Sequence, residues 1–107
     1  MKSRGDLFEQ RAVNWVEGEG WSVVARNYRT QFGEIDIIAI KDEVLHFIEV
    51  KSGSSYDPLY NITPKKLQHI INTAHRFMQK KNLDLAFQID AISVQENRCE
   101  LIENITI

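Results

Sequence analysis

The sequence predicts an α/β fold: a mixed five-stranded sheet with one helix against each face, in the order αβββαββ. Three observations predict it. Two apolar segments, 34–40 and 44–51, are rich in Ile, Val and Phe and separated only by Lys41-Asp42-Glu43, which reads as a hairpin. Leu67, Ile70, Ile71, Ala74, Phe77 and Met78 recur three or four residues apart, the period of a helix with one buried face. The connection from Lys51 to Ala86 is long and contains that helix, which suits a right-handed crossover between parallel neighbours.

The elements follow in order. Asp6 is placed to cap a first helix reaching about Glu17, ended by Gly18 and Gly20, with Phe8, Ala12, Trp15 and Val16 on one face. Residues 21–25 read as a short strand, and the polar stretch 27–32 as a turn. The hairpin completes an antiparallel meander. Ser52-Gly53-Ser54-Ser55 opens a loop carrying Tyr56, Asp57, Pro58 and Tyr60. Thr63 is the N-cap of the second helix, and Pro64 its first residue, where a missing N–H costs nothing. Strands over 86–94 and 99–105 follow, with Glu96-Asn97 between them. There are no repeats and no low-complexity segments.

A chain of 107 residues with 43% hydrophobic and 26% charged composition fits one domain, 1–107, able to fold without disulfides or a structural metal. Cys99 is the single cysteine, so neither an intrachain disulfide nor a zinc-ligand spacing exists. No apolar run is long enough to span a membrane, and the N-terminal residues lack the apolar stretch of a signal peptide. A cytoplasmic protein without a membrane partner is expected. The net charge of −2 and the pI near 5.9 argue against a protein that coats nucleic acid by charge alone. Yet residues 58–83 carry Lys65, Lys66, Arg76, Lys80 and Lys81, with His69 and His75, and no acid. That asymmetry suits an anion-binding face, and equally an ordinary solvated helix surface.

Alternation along a strand puts Glu34, Asp36, Ile38 and Ile40 on one face, and Ile35, Ile37 and Ala39 on the other. On the partner, Leu45, Phe47, Glu49 and Lys51 share a face, as do Val44, His46, Ile48 and Val50. If Asp42-Glu43 forms a two-residue turn, Asp36 lies opposite Glu49; if Lys41-Asp42 does, Glu34 takes that place. Either register gathers carboxylates and Lys51 on one face. Facing carboxylates with Cβ atoms roughly 4.5–5.5 Å apart repel without a counter-charge. Lys51 supplies one positive charge and a divalent cation would supply more, since Mg²⁺ takes one or two carboxylates beside waters and phosphate. A solvated sheet end whose charges keep the edge soluble accounts for the spacing equally well.

Gly33-Glu34-Ile35-Asp36-Ile37-Ile38-Ala39, then Phe47-Ile48-Glu49-Val50-Lys51, resembles the PD-(D/E)xK nuclease superfamily, specifically its YraN-type branch of small bacterial proteins. The resemblance extends to Glu9 and Ala12, to Arg26-Asn27-Tyr28-Arg29, to Lys66 and to Asp90, so it covers nearly the whole chain. It implies a restriction-endonuclease-like fold in which Asp36, Glu49 and Lys51 are catalytic and Mg²⁺ or Mn²⁺ is held by Asp36, Glu49 and the backbone carbonyl of Val50. Glu9 would be a further ligand from the first helix. Glu34 would be an accessory group that either ligates metal or pairs with a basic residue. Lys65, Lys66, His69 and Arg76 are the candidate nucleic-acid contacts. This chain departs from the branch at Ser52-Gly53-Ser54, where a basic residue usually follows, and at Gln88, where Arg often stands; both remove phosphate-contacting charge.

The other polar and aromatic residues have plainer readings. His46 falls on the face away from Glu49 and is expected to be structural. His69 and His75 lie off the apolar stripe, to touch phosphate or water. Tyr56 and Tyr60 could stack on a base or pin their loop to the sheet. Trp15 and Trp21 are expected to fill core space, and Cys99 to act as a small hydrophobe. Three functions follow from these readings: a metal-dependent nuclease acting on DNA, on branched or damaged structures; a non-catalytic nucleic-acid-binding module working with a partner protein; and a hydrolase of small phosphoesters. A homodimer would enlarge the small surface available for a duplex.

Overall fold

In the computed structural model, which describes residues 4–52, 62–96 and 98–106, the chain follows the expected order. It runs through α1 (Arg4–Gly18), β1 (Ser22–Thr30), β2 (Gly33–Lys41), β3 (Val44–Ser52), α2 (Pro64–Lys81), β4 (Ala86–Gln95) and β5 (Arg98–Ile102). The five strands form one mixed sheet in spatial order β1-β2-β3-β4-β5. Only β3 and β4, joined through α2, are parallel; the other neighbours are antiparallel. The loop carrying Tyr56, Asp57, Pro58 and Tyr60 lies outside the described residues. Among the described residues no helix is long and apolar enough to cross a membrane.

Each helix covers one face of the sheet. The α1 face buries Ala12, Val13, Val16, Trp21, Ile37, Ala39, Ile48, Ile92 and Val94. The α2 face buries Ile35, Ile38, Leu45, Phe47, Ile70, Ala74, Phe77 and Ile89. β2 and β3 therefore contribute to both clusters, which is why they read as near-continuous apolar runs. Both helices are punctuated by chemistry visible in the sequence. The Thr63 hydroxyl accepts from Lys66 N at 3.1 Å, Pro64 opens α2, and Asn82 closes it in the left-handed conformation at φ 52°. Gly20, at φ 89°, closes α1 as Trp21 N bonds back to Val16 O at 3.0 Å.

Four expectations are corrected. The first helix begins at Arg4, so Asp6 lies inside it rather than at its cap. The polar stretch 27–32 is not a turn: β1 continues to Thr30, pairing Tyr28↔Ile35 and Arg29↔Glu34. An edge strand needs no apolar alternation, because β2 supplies its hydrogen bonds and charges on its open side discourage further pairing. The register of β1 shifts between Val23 and Ala25, leaving Val24 unusually exposed for an apolar residue. At the other end, β5 stops at Ile102 instead of 105. There Asn104 turns at φ 55° and its N–H donates to Asp90 Oδ1 at 2.9 Å, drawing the chain off the ladder.

The fourth correction bears on the site. Simple alternation groups Ile35 with Ile37 and Ala39, but Ile35 packs on the α2 side with Ile38. β2 therefore turns about its own axis across Asp36 and Ile37.

Candidate active site

The hairpin turn decides the register. Asp42 and Glu43 both have positive φ, 51° and 64°, the conformation of a two-residue turn whose twist matches its flanking strands. Pairing then runs from Lys41↔Val44 to Ile37↔Ile48. The next step outward sets Asp36 beside Glu49, the first of the two registers the sequence allows. There the Asp36 carboxylate takes the place of the ladder: Oδ2 accepts from Val50 N at 2.8 Å. One side chain thus satisfies a backbone donor, and its own orientation is fixed in return.

Glu49 is 5% exposed, and its Oε1 is buried with no hydrogen-bond partner among the described residues. An unmatched buried carboxylate oxygen is costly, because charge is removed from water without compensation. Burial raises the pKa of the Glu49 carboxyl to about 8, and the neighbouring Asp36 pushes the same way, while Lys51 and Lys66 oppose. Asp36 is also raised above the ordinary carboxylate range, chiefly by burial. The Val50 N–H and Lys51 hold it down; Glu9 and Glu34 add to the rise. Burial lowers the Lys51 ammonium below the usual lysine range, and the adjacent Lys66 lowers it further, against the pull of Glu49 and Asp36. Two acids and two lysines thus lie close enough for their charges to act on one another.

The other sequence-predicted residues sort around this group. Glu9 is buried and its Oε1 is engaged by Asn27 Nδ2 at 2.9 Å and Arg26 Nη2 at 3.3 Å. Its charge reaches Asp36, so it borders the site from α1 already paired. Glu34 pairs with Arg29 at 3.3 Å, the basic-partner option of its two expected roles. Lys66 belongs to the carboxylate site itself, acting on both Glu49 and Lys51. Lys65, His69 and Arg76 are exposed on α2. Among the described residues, no three His, Cys, Asp or Glu side chains converge as a metal cage. Asp36 and Glu49 lie next to each other, each acting on the other's or on Lys51's charge.

His46 is structural, as its face predicts. It is buried against Trp21, with ring centroids 4.3 Å apart. Its Nδ1 lies 2.6 Å from Asp90 Oδ2, and Asp90 Oδ1 also accepts from Gln88 Nε2 at 2.8 Å. Gln88, one of the departures from the branch pattern, thus serves as a neutral donor to this buried acid. The pairing was not legible beforehand, because it depends on the parallel register that sets Ile48 beside Asp90. Trp21 is core and Trp15 half-buried; Cys99 is also half-buried, its thiol raised by burial.

Sequence reasoning passed over Phe32, Thr30 and Thr73. Thr30 Oγ1 accepts from Phe32 N at 3.0 Å and lies 3.3 Å from Thr73 Oγ1, which donates to His69 O at 2.8 Å. These bonds fasten the β1–β2 turn to α2 beside the acids. The paired threonines lie 43 residues apart, and no local pattern announces such a pairing.

With this geometry in view, comparison with known proteins gives a consistent result. The family model described as "Uncharacterised protein family UPF0102" matches residues 8–94, which include most of α1, β1, the hairpin, α2 and most of β4. A UPF0102 protein of Sulfurovum sp. (strain NBC37-1) is 51% identical over 96% of this chain and 93% of its own length. One from Helicobacter pylori (strain P12) is 47% identical over 98% and 92%. One from Wolinella succinogenes is 42% identical over 99% and 98%.

Proposed function

This chain belongs to uncharacterised protein family UPF0102, and we propose that it is a metal-dependent phosphodiester hydrolase of the PD-(D/E)xK type, with a restriction-endonuclease-like fold and DNA as substrate. The observation that carries this reading is the buried Glu49 Oε1 next to Asp36, without a hydrogen-bond partner among the described residues. Two adjacent acids at the end of a strand pair, one with an unmatched oxygen, fit a divalent cation better than they fit empty space. Mg²⁺ or Mn²⁺ suits an oxygen donor set of two carboxylates, with water and phosphate as the remaining ligands. The carbonyl of Val50 is the third protein donor in this proposal. When bound, the cation polarises the phosphoryl group and lowers the pKa of a bound water.

The chain's own residues do the rest. The Val50 N–H fixes the Asp36 carboxylate, so that ligand is oriented before substrate arrives. Lys51, held near the acids by opposite charge, orients the attacking water and stabilises negative charge developing on the phosphoryl oxygens. Lys66 places a second positive charge beside the same space and holds the phosphate. Burial around Glu49 excludes water and strengthens each of these interactions.

A second reading keeps the fold as a nucleic-acid-binding module that works with a partner protein. It draws on the lack of a third converging carboxylate among the described residues. Metal binding tests the site common to both readings. Calorimetric titration with Mg²⁺ and Mn²⁺ should show weak binding to the wild type and a large loss in Asp36→Ala and Glu49→Gln. Equal affinity in all three proteins would remove the metal from the proposal.

A further inference from the structure

We infer that the exposed face of α2, together with Phe32, forms a binding track for single-stranded nucleic acid leading out of the carboxylate site. The inference deepens the phosphodiester reading and rests on it for the class of ligand. Two cavities lie along this face, and Phe32 lines both. One, of about 200 Å³, is bounded by Phe32, Gly33, Glu34, Lys66, His69 and Ile70. The other, of about 270 Å³, is bounded by Phe32, Asn72, His75, Arg76 and Gln79. Glu34, which lines the first cavity, stands two residues before Asp36 on β2 and so places that cavity next to the acids.

The chemistry of the two cavities is that of a strand path. Lys66, His69, Asn72, Arg76 and Gln79 recur every three or four residues, so they share one side of the helix. From Lys66 to Arg76 the helix rises roughly 15 Å at about 1.5 Å per residue, more than one nucleotide needs. A positive charge stands near each end, and a ring stands between them. The one acid on the track, Glu34, is paired with Arg29; the second cavity has none. Grooves that bind single strands combine cations along the backbone path with an aromatic face on which a base stacks.

Phe32 is held in place for that role. Its N–H is fastened through Thr30 and Thr73 to the His69 carbonyl. Gly33 supplies the φ of 152° that the turn needs; a Cβ there would meet His69 Cβ at an ordinary 3.8 Å, so backbone conformation, not space, calls for glycine. Phe32 itself is half-buried and, among the described residues, is not one of the hydrophobics packed against either core cluster. A duplex fits less well, because its bases are already stacked and cannot reach the ring.

The test is fluorescence anisotropy in EDTA at low salt, with labelled oligo-dT and oligo-rU of about eight nucleotides and a duplex of matching length. Proteins would be wild type, Phe32→Ala, Phe32→Leu and Phe32→Trp, each with its fold checked by circular dichroism. Wild type should prefer single strands. Phe32→Ala and Phe32→Leu should lose roughly five- to hundredfold in affinity, while Phe32→Trp keeps it, since a ring and not mere apolar bulk is required. The dT and rU arms separate DNA from RNA as the source of the strand. Binding is read in EDTA and needs no metal, so failure of the metal reading and failure of this one are distinguishable. Absence of single-strand binding, equal preference for duplex, or equal affinity in Phe32→Ala and wild type would overturn the inference.

Discussion

Replacing Glu49 with Gln should stabilise the metal-free protein at alkaline pH, although it removes a proposed ligand. Burial raises the Glu49 carboxyl from its ordinary 4.5 to about 8. Between those two values the folded chain holds a proton that the unfolded chain has released, so stability falls as pH rises through this window and is fully retained below about 4.5. At roughly 1.4 kcal/mol per pH unit, the displacement sets an upper bound on the order of 5 kcal/mol above pH 8. Gln keeps the shape but carries no charge, and it leaves its own buried amide to satisfy, so a net gain of about 2 kcal/mol is the expectation. In a domain of this size that is a rise in Tm of roughly 10 °C. Thermal melts in EDTA from pH 4.5 to 9 should show Gln no more stable than wild type at the acid end, where only the cost of its buried amide remains, and the difference shifting in its favour as pH rises until Gln is the more stable. Parallel pH profiles, or a variant less stable than wild type at pH 8.5, would mean that Glu49 is not a stressed acid.

Two other perturbations probe separate parts of the structure. Asp90→Ala leaves buried His46 and the Asn104 N–H without their acceptor, and should destabilise the fold by about 3–5 kcal/mol in urea titrations; a loss under 1 kcal/mol would deny the pair its structural role. Lys66→Ala combined with Arg76→Ala should flatten the salt dependence of single-strand binding by about 1.4 in log–log slope, at about 0.7 for each phosphate no longer neutralised; an unchanged slope would make this face an ordinary solvated surface.

What could be read from the sequence was whatever short-range physics determines. The Thr63-Pro64 start of α2, the apolar stripe behind it and the two-strand hairpin all follow from local spacing, and each stands in the structure. The juxtaposition of Asp36, Glu49 and Lys51 was legible for the same reason, because a two-residue turn propagates one register along the pair. β1 was cut short because an edge strand carries Arg26, Asn27 and Arg29 where a central strand would carry apolar residues. The strand turn at Asp36, which moves Ile35 to the α2 face, escaped simple alternation because it depends on a side chain capturing the Val50 N–H. Glu9 was expected as a further ligand. Its engagement by Arg26 and Asn27 requires α1 to pack against β1, which no local spacing encodes. The Thr30–Thr73 and His46–Asp90 pairs are likewise tertiary.

The central claim is that Asp36, Glu49 and Lys51 act together on a phosphodiester, and cleavage by matched variants tests it most directly. Wild type, Lys51→Ala and Glu49→Gln would be incubated with labelled flap, junction, single-stranded and duplex DNA in Mg²⁺ and in Mn²⁺. Wild type should cut at least one of these structures. Lys51→Ala should lose cleavage while keeping its fold and most of its DNA affinity, because a group that acts on transition-state charge affects the rate more than ground-state binding. Glu49→Gln should lose cleavage together with metal affinity. No cleavage of any structure by folded, metal-bound wild type, or equal cleavage by all three proteins, would contradict the assignment.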